Sequence, residues 1–317
     1  MKVTEHIARA GKTLFTIEIL PPVKGDSIET IYSTIDPLLE FKPAFIDVTY
    51  HREEIVFKER PKGLLEKKVV RKRPGTVGIS AAIKFKYGVD VVPHIICGGF
   101  TREETENGLI DLDFLGIHNL LVMRGDNLRN EKYYHAEPDG HSFAIDLVKQ
   151  IMEMNQGKYM EEDLLGSSPT NFTVGVAGYP EKHLEAPNLH TDIQFLKQKI
   201  DAGAEYIVTQ MFFDNSKYFE FVKQCRAEGI QVPIIPGIKP LSTINQMVTL
   251  PRTFNIDLPD SLVKEVQKCK NNEQARIVGI EWCIEQSREL INFGVPVLHF
   301  FTMGRPDNIK KVAEAIF

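Results

Sequence analysis

Cysteine is scarce in this chain: Cys97, Cys225, Cys269 and Cys283 are scattered through 317 residues with no C-x-x-C spacing. That pattern excludes a disulfide framework and a thiolate zinc site, and it leaves reduced structural thiols. Long apolar runs are missing too. No segment approaches the roughly 18 uninterrupted apolar residues of a membrane span, and the opening stretch MKVTEHIARAGK interleaves charges where a secretory signal needs an apolar core. The expectation is a cytoplasmic protein with no membrane partner. There is no strong charge imbalance either: a net charge of −5 exerts no global pull toward nucleic acid. Nucleotide signatures are absent, since no G-x-G-x-x-G follows the first strand pattern and no G-x-x-x-x-G-K-[ST] occurs anywhere. His94, His183 and Glu185 make a metal set only on paper, because no H-E-x-x-H or similar close spacing supports it; no metal is expected.

What is present is one pattern repeated. Eight short β-branched runs, TLFTIEIL, AFIDVTY, DVVPHIIC, NLLVMRGD, FTVGVAGYP, YIVTQMFF, VPIIPGIKP and VLHFFTM, alternate with amphipathic stretches such as REETENGLIDLDFLG and TDIQFLKQKIDAG. Eight strand-helix units in this length predict an α/β fold, a (β/α)8 TIM barrel forming a single domain over residues 1–317. Two segments stand outside the pattern. Residues 51–75 are dense in Lys and Arg and read as a solvated basic loop, with polyanion binding as the minority reading. Residues 157–171 read as a mobile surface loop.

The first run carries a problem, because Glu18 sits inside an apolar strand. An unpaired buried carboxylate costs several kcal/mol or takes up a proton. Residues two apart share a strand face, so Thr16, Glu18 and Leu20 point one way and Phe15, Ile17 and Ile19 the other. If the apolar trio faces the helices, Glu18 lies inside the barrel near the carboxyl ends of the strands, where barrel enzymes place their chemistry. Thr49, His94, Arg124 with Asp126, Tyr179 with His183, and Gln210 fall at equivalent places on the next strands, so these polar groups converge on one mouth. Each has a plainer explanation: a structural ion pair for Glu18, an N-cap for Asp126 in RGD, a hydrogen-bonded core histidine for His94.

In order and spacing, the motifs FTIEILPP, FIDVTY, PHIIC, VMRGD, AGYPEKH, KQKIDAGAEYIVTQMFFD, IIPGIKPLS and HFFTMGR resemble the methylenetetrahydrofolate reductases, from about Thr13 to Arg305. The resemblance implies noncovalent FAD on a barrel without a Rossmann fold, and reduction of 5,10-methylenetetrahydrofolate to 5-methyltetrahydrofolate with electrons from NADH or NADPH, feeding one-carbon metabolism and methionine synthesis. It also implies a homo-oligomer and the catalytic barrel alone, without the regulatory domain of longer relatives. Thr49, His94, Arg124, Gly125, Asp126, Ala177, Tyr179 and His183 match positions that line the flavin. Asp192 and Lys199 match positions holding its sugar and phosphate portion, and a lysine suits a diphosphate as a compact cation. Glu18, Asp126, Gln210, Gln246 and Arg305 match positions near the folate. The resemblance gives Glu18 the general acid's part, which requires a carboxyl kept protonated by burial and nearby negative charge, and it gives Asp126 that of an anion beside flavin and pterin. The sequence departs from the pattern at VTYHREE and at Met211 and Leu250, where aromatic residues are usual. A rival reading is a Schiff-base lyase using Lys239 at the end of the seventh run.

Overall fold

The computed structural model describes residues 1–128, 131, 133–161 and 163–317. Its strands, in chain order, are β1 (Leu14–Ile19), β2 (Phe45–Val48), β3 (Glu54–Arg60), β4 (Leu64–Val70), β5 (Asp90–Ile96), β6 (Asn119–Met123), β7 (Thr173–Gly178), β8 (Tyr206–Thr209), β9 (Ile234–Ile235), β10 (Gly237–Ile238) and β11 (Val297–Phe301). Nine of them form one sheet in the order β10-β11-β1-β2-β5-β6-β7-β8-β9, and every pairing within it is parallel. The two ends of that order, β9 and β10, are consecutive in the chain and separated only by Pro236. Proline has no N–H to give to a ladder, so it splits one stave into two short strands, while its carbonyl accepts from the His299 backbone N–H at 3.1 Å. The sheet therefore closes on itself with eight staves, each at a place where the sequence predicts a strand.

Strand parity sorts the core as expected. Phe15, Ile17 and Ile19 are buried in the large apolar layer between sheet and helices. The inward set forms a smaller cluster, with Phe45, Val92, Leu121, Tyr206, Val208, Ile235 and Val297, and Val3 of the helix Val3–Arg9 packs against it. A third cluster, including Met211, Phe213, Leu241, Leu250 and Leu262, packs the helices Gln246–Phe254 and Asp260–Gln267 over the end of β8 and the loop after β10. Met211 and Leu250 are thus buried core residues of that side layer.

One sequence expectation needs correcting. Residues 51–75 are not an irregular loop: β3 and β4 pair antiparallel over their whole length, from Glu54 opposite Val70 to Arg60 opposite Leu64. The alternation along Glu54–Arg60 and Leu64–Val70 is that of strands, and Lys62 in the left-handed region with Gly63 makes the turn between them. The hairpin leaves Phe57, Leu64, Leu65 and Val69 exposed. In the other predicted loop, 157–171, residue 162 lies outside the described residues.

Candidate active site at the carboxyl ends of the strands

The mouth is assembled from the ends of consecutive staves. The loops after β5 and β6 are stitched together by backbone bonds from Cys97 N to Met123 O and from Gly98 N to Arg124 O. Gly125 takes φ +89°, a conformation that strains any other residue, and a Cβ there would also press on the Ile96 side chain at 3.3 Å, so the turn after β6 runs close against the neighbouring stave.

Glu18 lies at this end with its side chain 13% exposed. Its Oε1 accepts the Thr49 hydroxyl at 2.9 Å. Its Oε2 faces two imidazoles, with His94 Nε2 at 3.6 Å and His299 Nε2 at 3.8 Å. Behind them is Asp47, fully buried and opposite Glu18 in the β1–β2 register, with Oδ2 3.5 Å from His94 Nε2. Burial alone pushes the Glu18 carboxyl up, but the approach of His299 and the positive fields of His94 and His299, helped by Thr49, pull it below the ordinary glutamate value. This corrects the sequence expectation of a carboxyl raised by negative neighbours: the closest charged groups are imidazoles, while Asp47 stands behind them. His299 is shifted the opposite way, upward, because Asp47 and Glu18 outweigh its burial.

Asp47 and His299 are not among the residues expected from the sequence, although parity places both on the inward face: His299 pairs with Thr16 and Asp47 with Glu18. The usable signal was a charged residue inside FIDV and a histidine inside VLHFF.

The other candidates group on the far side of the mouth. Tyr179 and His183 meet edge to face at 4.9 Å between ring centroids. The His183 backbone N–H donates to Asp192 Oδ2 at 2.7 Å, so Asp192 already has a structural task in tying the loop after β7 to the helix Leu189–Asp201. Lys199, near the end of that helix, reaches back to the Ala177 carbonyl at 3.3 Å. Burial holds its ammonium down to about 8, against the opposing pull of Asp192. Arg124 forms an ion pair with Glu185 at 2.6 Å and lies over the Tyr134 ring. Asp126 is exposed at the lip, and its charge is felt by both His51 and Tyr179.

The expected folate-side residues are less uniform. Gln210 Oε1 accepts from the Met211 N–H at 2.9 Å. Gln246 Oε1 accepts from the Ser242 N–H at 2.7 Å, which leaves its NH2 end for other partners. Arg305 is exposed in the turn after β11. Lys239 is buried just after β10 and held down to about 8 by desolvation, with Arg305 adding to the effect.

These residues suit a flavin dinucleotide in kind. A partly buried cation whose bonded acceptor is one backbone carbonyl favours an anion such as a diphosphate. The Tyr179 and His183 rings, set edge to face, supply aromatic surface beside that cation. The inward carboxylate faces the same mouth.

Comparison with known proteins agrees with the order of the motifs. The sequence model of the family described as methylenetetrahydrofolate reductase matches residues 2–316. A protein of Pectobacterium carotovorum named 5,10-methylenetetrahydrofolate reductase is 31% identical over 298 residues, covering 94% of this chain and 88% of that protein. Methylenetetrahydrofolate reductase (NADH) 1 of Arabidopsis thaliana is 29% identical and covers 100% of this chain but 50% of its own length. The chain thus spans about half the length of such plant relatives. Among experimental structures, an uncharacterized protein from Clostridium thermocellum, described as binding two copies of 5-methyl-5,6,7,8-tetrahydrofolic acid, superposes with a TM-score of 0.57 at 13% identity, covering 99% of this chain and 98% of that one.

Proposed function

The chain belongs to the methylenetetrahydrofolate reductase family, and from that membership we propose that it reduces 5,10-methylenetetrahydrofolate to 5-methyltetrahydrofolate, using noncovalent FAD with NADH or NADPH as electron source. The observation that carries this reading is Glu18, an inward carboxyl at the mouth held between Thr49 and two imidazoles. The folate binding described for the Clostridium protein of the same fold supports the substrate class.

In this reading Asp192 and Lys199 hold the cofactor's sugar and phosphate portion, Asp192 also ordering the loop after β7, and Thr49, His94, Arg124, Gly125, Asp126, Ala177, Tyr179 and His183 line its ring. When bound, the flavin carries hydride from nicotinamide to the folate carbon. The folate carbon becomes electrophilic only when its five-membered ring opens, and opening needs a proton on the departing nitrogen. Glu18 gives that proton, and an N–H bond forms as the ring C–N bond breaks. The Asp126 carboxylate at the lip stabilises the cationic carbon that results. Gln210, Gln246 and Arg305 hold the pterin and its glutamyl tail.

The test is direct. Purified protein should be yellow, its flavin spectrum should bleach anaerobically with NADH or NADPH, and methylenetetrahydrofolate should restore it. Protein that binds no flavin, or whose reduced flavin ignores the folate, defeats the proposal. The lyase reading keeps one observation, the desolvated Lys239 amine; borohydride trapping of a carbonyl substrate on Lys239 would favour it.

A further inference from the structure

Four ionisable groups share the inner wall behind the mouth. Glu18 comes from β1, Asp47 from β2, His94 from β5 and His299 from β11. His94 and His299 are 2% and 0% exposed and Asp47 0%. Two carboxylates and two imidazoles in so dry a place reach electrical neutrality only by holding two protons beyond those of the neutral imidazoles. The cluster is therefore built to keep protons.

Its geometry says where one of them is. The Thr16 hydroxyl has a single proton, and it lies 3.3 Å from the Leu298 carbonyl, which can only accept it. With that proton given to Leu298, Thr16 Oγ1 accepts from His299 Nδ1 at 3.0 Å and Nδ1 carries the hydrogen; the opposite tautomer would have Thr16 donate to Nδ1, and the proposal takes the first. That leaves Nε2 as the titrating nitrogen, and Nε2 is the atom that faces Glu18 Oε2 at 3.8 Å. A bare nitrogen lone pair against a carboxylate oxygen would be repulsive; a proton between them makes the contact attractive. The other charged groups around His299 are Asp47 and, across the cluster, His94, while β10 presents Gly237 and β11 the Phe301 ring.

We propose that His299 and Glu18 act as one proton-holding pair, in which His299 Nε2 stores the proton that Glu18 delivers to the substrate, with Asp47 as the buried counter-charge. The inference rests on the reductase reading above. As the folate nitrogen departs, the Nε2–H bond of His299 breaks and an O–H bond forms at Glu18 Oε2; that O–H bond breaks in turn as the N–H bond forms on the folate, which leaves Glu18 ionised and His299 neutral. Solvent water returns one proton when the mouth is open, which matches the single proton that the net reaction consumes. At 3.8 Å the two atoms are not hydrogen-bonded, so the transfer requires the contact to tighten, or one water to bridge it, when the complex forms. His299 is a positioning and supply residue; it does not touch the substrate. The pair also accounts for Glu18 acting as an acid although its own carboxyl lies low, because the transferable proton rests on the imidazole.

Two measurements test this. In the first, the holoenzyme is labelled with 15N-histidine and titrated by NMR. His299 should appear as the Nδ1–H tautomer with Nε2 titrating above the ordinary histidine value, and Glu18→Gln should lower that midpoint by about one pH unit. An Nε2–H tautomer, or a midpoint that Glu18→Gln does not move, overturns the pair. In the second, stopped-flow oxidation of the reduced enzyme by methylenetetrahydrofolate is followed against pH in wild type and in His299→Asn. The falling alkaline limb should move to lower pH by about one unit in the variant. A slower reaction whose limb stays in place means His299 only packs. If the wild-type reduced enzyme does not react with the folate at all, the reductase reading fails, while the NMR result still decides the pair.

Discussion

Arg124 and Glu185 meet at 2.6 Å across the mouth, joining the turn after β6 to the loop after β7. The pair can be a strap between loops, or Glu185 can be holding an anion-binding arginine in readiness. Both side chains are partly exposed, at 20% and 40%, so as a strap it contributes only about 0.2–1 kcal/mol. Glu185→Gln should therefore leave stability nearly unchanged and shift the Kd for FAD by less than about threefold. Arg124→Ala should raise that Kd by at least about tenfold, the scale of one lost charge-assisted hydrogen bond. Fluorescence titration of apoprotein with FAD separates the two, and equal effects would make Arg124 a strap.

Lys199 gives a pH prediction with a definite sign. Its ammonium is held down to about 8 in the chain as it stands, and a bound diphosphate favours the charged form and raises it. FAD affinity is then fully present below about pH 8 and falls as pH rises through that value, because binding must recover the proton. Between pH 7.5 and 9.5 the Kd should weaken by about tenfold, and Lys199→Met should weaken binding at pH 7.5 and flatten the profile. An equally steep profile in Lys199→Met would assign the dependence to another group.

The hairpin β3–β4 extends from the barrel with a basic character, and Arg71 and Lys72 at its base bond Tyr50 and Glu54. If its field draws in polyglutamylated folate, replacing Lys67, Lys68, Arg71 and Lys72 with serine should raise the KM for that substrate several-fold at low salt and hardly at all at high salt. An unchanged KM at low salt would leave the hairpin without this role.

Gly279 tests how the loop after β10 is held. In the helix Asn272–Phe293 a Cβ at this position would lie 1.9 Å from the Leu241 carbonyl oxygen, which is backbone and has little freedom to move. Gly279→Ala gains roughly 1 kcal/mol of helix propensity. The forced shift should cost more than that gain, so a net loss of about 2 kcal/mol is expected. A lower urea midpoint at unchanged slope would register it. No loss would mean the helix slides freely over the loop that carries Lys239.

The barrel was legible because its signal is periodic: eight apolar runs, each with an inward and an outward parity, suffice to place Glu18 inside. The hairpin is less legible because its composition outweighs its alternation; KERPKGLLEKK looks like a solvated loop until the two strands are paired. Asp47 and His299 are hard to see for a related reason. Each is a single polar letter in an apolar run, and only the register that sets Asp47 beside Glu18 and His299 beside Thr16 shows that they share one wall. The depressed Glu18 carboxyl could not be foreseen, since it depends on imidazoles 76 and 281 residues away in the sequence (94 − 18 and 299 − 18).

Glu18 itself is the sharpest test of the chemistry. Glutamine keeps the shape and the acceptor for Thr49 but has no transferable proton, so only the half-reaction that needs an acid should suffer. Hydride transfer from nicotinamide to flavin needs none. Glu18→Gln should stay yellow and be reduced by NADH or NADPH at nearly the wild-type rate. It should lose at least about 100-fold in oxidation of the reduced flavin by methylenetetrahydrofolate, the low end for deleting a general acid. Thr49→Val gives the matching control: it removes a 2.9 Å donor to the carboxylate but no proton source, so it should slow the folate step by only about tenfold, the cost of one hydrogen bond. Stopped-flow measurement of the two half-reactions distinguishes these cases. Should Glu18→Gln slow both half-reactions equally or shed the flavin, Glu18 holds the cofactor or the barrel, and the acid lies elsewhere.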